Sequence, residues 1–165
     1  DAGAQALFIH GRTQKQGYTG TVDHTAIRTV VESTSIPVFG SGDIFSSEHA
    51  HAMLEQTGCA GLLVARGSYG KPWLAGDIEE YLTKKNKPPL RSLSTRFDIF
   101  KRHLSYIEKF KRASQKGKIG CMRKVALWYL KGFPQARKLR NSISTYHYVE
   151  DFYALAERLL THAPD

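Results

Sequence analysis

Residues 40–43, Gly-Ser-Gly-Asp, and residues 65–68, Ala-Arg-Gly-Ser, are the stretches of this 165-residue chain whose composition and spacing suit chemistry. A glycine has no Cβ, so its backbone N–H can approach an anion closely, and an arginine adds a planar fork of donors that matches phosphate. Both stretches follow short apolar runs, at 36–39 and 62–65. A third run, 6–9, ends in His10-Gly11-Arg12-Thr13. Glycines at 40 and 42 serve a plain turn equally well. Three such ends at successive apolar runs favour a ligand.

These residues need elements to position them. Each apolar run reads as a buried strand. Between the runs, residues 23–34 and 46–58 carry helical spacing, with Asp23 and Ser46 as N-caps and Gly58 as a stop. Strands alternating with helices predict a parallel sheet. The strand-to-strand steps, about 30 and then about 26 residues, match the roughly 250 residues over eight units of a (β/α)8 barrel. In such a barrel ligands sit at the C-terminal ends of strands, where all three stretches fall, and five further units are expected upstream.

The second half has a different character. Residues 83–96 are polar, basic and carry two adjacent prolines, and read as a linker between residues 1–82 and a helical domain at 97–165. Phe97, Phe100, Leu104 and Ile107 recur at helical spacing, with Lys101, Arg102, Lys109 and Arg112 on an adjacent arc. Helices are expected around 122–131 and 135–143, and Tyr148, Phe152, Leu155 and Leu159 mark the face of a last one. The net charge of +9 is unevenly shared. Residues 1–82 hold five Lys or Arg against nine Asp or Glu, whereas 83–165 hold nineteen against six. A segment that basic is expected to meet a polyanion. The cationic face is completed by Arg123, Lys124, Lys131, Arg137, Lys138 and Arg140.

Other classes are disfavoured. No run approaches the ~20 apolar residues of a membrane span, and no export signal opens the chain, so a soluble, cytoplasmic protein is expected. Cys59 and Cys121 read as buried apolar residues in a reducing compartment. The histidines at 24, 49, 51, 103, 147 and 162 form no metal pattern, and no ligand role is expected for them. Pro72 and Trp73 read as a helix start and a packing anchor, and Trp128 and Tyr129 as core aromatics.

The stretches HGRTQKQGYTG, IPVFGSGDI, TGCAGLLVARGSYGKPW and MRKVALWYLKGFPQARKLR together resemble the second half of a bacterial tRNA-dihydrouridine synthase of the B-type or nitrogen-regulation-protein-like branch, from the first residue to about Arg158. The resemblance implies an α/β fold: the last strands of an FMN-binding (β/α)8 TIM barrel, then a small all-α domain that binds tRNA. It also implies NADPH as reductant of the flavin and reduction of the C5=C6 bond of a uridine. By position, the family's Asn-Gly-Asp falls on Ser41, Gly42 and Asp43, and its phosphate-holding Gly-Arg on Ala65 and Arg66. Ser41 has a shorter reach than an amide, and Ala65 adds a methyl where the family has glycine. The family's Arg-Lys-His appears as Arg123, Lys124 and Val125. His10 matches a strand-end histidine near the flavin, and Arg12, Gln16 and Tyr18 match the loop beside the substrate pocket. The family's catalytic cysteine and flavin-contacting lysine belong to earlier strands. The chain is therefore expected to be the C-terminal part of a longer enzyme, missing the N-terminal half of its barrel and inactive alone. A non-catalytic RNA-binding remnant and another FMN barrel oxidoreductase acting on a small molecule are the alternatives.

Overall fold

A computed structural model describes residues 3–133 and 136–161. The expected helix start at Gln135 and the exclusion of His162 as a ligand fall outside them. Among the described residues the chain is α/β, with a small parallel sheet and seven helices, divided into two compact units. The first comprises the described residues up to Ser68 with Pro72–Pro88, and the second comprises Tyr69–Lys71 with the described residues from Pro89 onward.

In the first unit, β1 (Leu7–His10), β2 (Val38–Ser41) and β3 (Gly61–Leu63) pair in that order, all parallel. The register places His10 beside Ser41 and Ser41 beside Leu63. Helix α1 (His24–Glu32) begins where the Asp23 carboxylate accepts the Ala26 N–H at 2.9 Å. Helix α2 (Ser47–Thr57) begins at the Ser46 hydroxyl, which accepts from His49 N, and stops at Gly58, whose φ of +68° suits a residue without Cβ. Helix α3 (Leu74–Lys84) follows Trp73, which supplies no side-chain cap.

Period-two alternation gives each strand two faces. Ile9, Leu62 and Val64 pack on the helices' core, where Ile27, Ala50, Met53, Leu74 and Ile78 are buried. At about 1.5–3 kcal/mol per large apolar side chain, this face supplies most of the unit's cohesion. The opposite face carries Phe8 and Phe39, stacked at 4.9 Å, and Leu63. It is largely bare, with Phe8 63% and Leu63 47% exposed.

The second unit is helical. Helix α4 (Leu93–Phe110) starts four residues before Phe97 because Ser92 caps it, its hydroxyl accepting from Thr95 N at 3.1 Å. Helix α5 (Gln115–Tyr129) starts seven residues before Met122, capped by Ser114. Lys116, Gly117, Lys118 and Gly120 hide that first stretch from a periodicity reading. Helices α6 (Ala136–Ile143) and α7 (Val149–Thr161) follow. The Asp151 carboxylate accepts the N–H groups of His147 and Tyr148, both at 2.9 Å, closing the start of α7. Phe97, Phe100, Leu104, Met122, Tyr129, Phe152 and Leu155 are buried together where α4 packs on α5 and α7. Tyr129 is core, as expected, whereas Trp128 is half-buried and stacks on Tyr69 at 4.1 Å.

Candidate functional site

Because the strands are parallel, the segments that follow them emerge at one end of the sheet. The loop after β1 is closed by Asp23 N donating to Gly11 O at 2.7 Å, and Gly11 N donates to Ser41 O at 3.2 Å. After β2, Gly42 has φ +130° and Asp43 φ +50°. Asp43 is thus a side-chain-bearing residue in the left-handed region, which a short polar residue tolerates best. After β3, Arg66–Ser68 forms one 3-10 turn.

Asp43 is the node of the cluster. Its Oδ1 accepts from Arg12 Nη1 and from Arg66 Nη2, each at 3.0 Å, and its Oδ2 accepts from Arg12 Nη2. Arg12 also donates through Nε to Thr19 O at 3.1 Å and through Nη2 to Gly20 O at 2.7 Å. Its side chain is 3% exposed, so it staples the 12–20 loop to the end of β2. The hydrogen bonds from Arg12, reinforced by the charges of Arg12, Arg66 and His10, hold the Asp43 carboxyl below the usual carboxylate range despite its partial desolvation. The same pairing favours the charged form of Arg12.

Arg66 is placed differently. Its guanidinium lies 4.1 Å from the Tyr18 ring centroid and 5.7 Å from that of Phe45, within cation–π reach. Its side chain is 30% exposed, with one amino group on Asp43. Two arginines around one carboxylate leave a local excess of one positive charge, suited to an anion. His10 and Ala65 are exposed at the ends of β1 and β3, and Ser41 is buried. Gln16 is turned to its own loop, its Oε1 accepting from Thr13 N at 2.8 Å.

The glycines have a packing reason. A Cβ at Gly40 would lie 2.9 Å from Met53 Sδ, and one at Gly42 would lie 2.5 Å from a Val22 methyl. Tight packing, together with the positive φ at 42, accounts for glycine at both. Gly67 and Phe45 escaped the sequence reading. A Cβ at Gly67 would overlap the Ile44 carbonyl oxygen, which locks the turn after β3 onto the segment after β2. The repeated pairing of Gly with a cation at strand ends was the available signal.

In the second unit the ten cations named from sequence divide by surroundings. Lys101 pairs with Glu157. Arg123 donates to Ile143 O at 3.2 Å and Tyr146 O at 2.8 Å, tying α5 to the end of α6. Lys124 lies 5.7 Å from the Trp128 ring. Arg102, Lys109, Arg112, Lys131, Arg137, Lys138 and Arg140 are exposed. Among the described residues no group of His, Cys, Asp and Glu is arranged to hold a metal, and no helix is long and apolar enough to cross a membrane.

Comparison with known proteins points the same way as the motifs. The model of the family "Dihydrouridine synthase (Dus)" matches residues 1–163. The chain is 36% identical over 163 residues to "Probable tRNA-dihydrouridine synthase 1" of Synechocystis sp., covering 99% of this chain and 45% of that protein. It is 41% and 38% identical to the proteins named tRNA-dihydrouridine synthase B of Pseudomonas syringae pv. tomato and Pseudomonas aeruginosa, covering 84% of this chain and 41% of each relative. The chain spans less than half the length of these relatives.

Proposed function

Since the chain belongs to the dihydrouridine synthase family, we propose that it is the C-terminal part of a tRNA-dihydrouridine synthase, carrying one wall of a flavin site and a helical tRNA-binding domain. The observation that carries this reading is the cationic cluster at one end of the parallel sheet. Arg66 is aimed by Asp43 and backed by Tyr18.

The cluster fits the phosphate of FMN. It has an excess positive charge, a partly exposed guanidinium and a carboxylate that anchors one amino group of that guanidinium. When bound, FMN would supply hydride transfer to the C5=C6 bond of a tRNA uridine, with NADPH as the reductant. The chain's own residues bind and orient. Arg66 would hold the phosphate, Asp43 would position Arg66, and Arg12 would hold the 12–20 loop against the site. The catalytic role is assigned to the part of the protein that precedes this chain.

The bare sheet face supports the same assembly. Phe8, Phe39 and Leu63 would form part of the interior of a TIM barrel whose other strands come from the N-terminal half. The exposed cations of the second unit would meet tRNA phosphates.

Flavin titration of the full-length protein and its Arg66→Ala variant tests the reading. Loss of one charge-assisted phosphate contact should weaken FMN binding at least about tenfold. A protein that binds tRNA but takes up no flavin would instead be the non-catalytic RNA-binding remnant, the outcome that the methyl of Ala65 and the short side chain of Ser41 would favour.

A further inference from the structure

The outer face of α4 carries two aromatic rings that no packing explains. Tyr106 and Phe110 are one helical turn apart, 55% and 64% exposed, with ring centroids 5.9 Å from each other. Scattered surface aromatics are ordinary, but this pair is contiguous and set among cations. Lys109 Nζ lies 5.2 Å from the Phe110 centroid, and Arg102 falls one turn before Tyr106 on the same side of the helix. Lys111 and Arg112 are exposed just beyond the helix end, and Lys116 is exposed in the first turn of α5. The nearest carboxylate on this stretch, Glu108, accepts the Tyr153 hydroxyl at 2.8 Å.

We infer that Tyr106 and Phe110 form a stacking platform for unpaired bases of RNA, with Arg102, Lys109 and Arg112 engaging the adjoining phosphates. The inference rests on the reading of this unit as a tRNA-binding domain and adds what that unit recognises: single-stranded loop bases rather than the duplex backbone alone. The charge settles the class of partner. An apolar protein surface would be poorly matched to two rings flanked along the helix by Arg102 and Lys109, with Arg112 just beyond, whereas bases and phosphates alternate as these side chains do. Both rings already stand in solvent, so a base gains contact area without unfolding any part of the helix.

The test uses the full-length protein, a tRNA transcript with 2-aminopurine at an unpaired loop position, and a blunt RNA duplex as control. The Tyr106→Ala/Phe110→Ala double variant should bind the transcript about tenfold more weakly and lose the stacking-induced fluorescence change, while its salt dependence and duplex affinity stay as in the wild type. The Tyr106→Phe/Phe110→Tyr variant should retain wild-type binding. Wild-type affinity for tRNA in the double alanine variant would overturn the platform while leaving the tRNA reading intact. Equal loss on the duplex, a lowered melting temperature, or a change of oligomeric state with unchanged RNA affinity would likewise overturn it, the last two by showing that protein covers the rings. If the wild type binds neither RNA, the reading itself fails and the platform with it.

Discussion

Asp43 holds the candidate site together, and its chemistry makes a pH-dependent prediction. Its carboxyl is stabilised in the charged form by the folded protein, chiefly through Arg12. A carboxyl whose folded pKa is depressed adds stability above its unfolded value of about 3.9, and that stability is lost as pH falls through the folded value. The stability difference between wild type and Asp43→Asn should therefore be constant above about pH 5 and shrink as pH drops below about 4, as read by denaturant melts. A difference that persists unchanged into strong acid would show that Asp43 acts by shape alone. The left-handed backbone at Asp43 was not legible in the sequence, where Gly-Ser-Gly-Asp suggested glycine-bared amides. The side chains that fill the space beside Gly40 and Gly42 come from α2 and from the loop before α1, and no local pattern reveals them.

At the scale of elements, the turn after β3 depends on contact rather than on intrinsic conformation. Gly67→Ala should destabilise by about 2 kcal/mol or more, because the added methyl meets the Ile44 backbone and not a side chain that can rotate away. Gly76→Ala, inside α3 with nothing near the added methyl, should instead stabilise by about 0.5–1 kcal/mol. Urea denaturation of the two variants separates them, and a shift of the same sign in both would contradict the packing. In the helical unit, burial pushes the Tyr129 hydroxyl up to about 12, and burial together with Glu108 pushes Tyr153 up to about 12. A raised folded pKa gives stability that is complete below about pH 10 and lost above it. Ultraviolet titration should show two tyrosines ionising with the alkaline unfolding transition rather than near pH 10. Most element positions were readable, because Asp23, Ser46 and Gly58 act through local chemistry. The start of α5 was not, since its apolar face is supplied by packing on α4 and α7 after two glycines have diluted the pattern.

For the whole molecule, the uneven charge and the bare sheet face are its two large-scale features. If about five phosphates are engaged by the exposed cations of the second half, log affinity for tRNA should fall with log salt at a total slope of roughly −3.5 to −4.5. A flat dependence would remove the basic face from the RNA interface. The charge asymmetry was plain in the sequence, but which cations are committed internally was not: Arg123 serves two backbone carbonyls and Lys101 pairs with Glu157. The proposed function turns on Arg66, held by Asp43, binding the anionic end of a flavin nucleotide. Its most direct test is equilibrium FMN binding by full-length wild type and Arg66→Ala, read by flavin fluorescence. The wild-type protein should be yellow and the variant should lose at least about tenfold in affinity; equal affinity in the two, or a wild type that takes up no flavin, would contradict this role of Arg66.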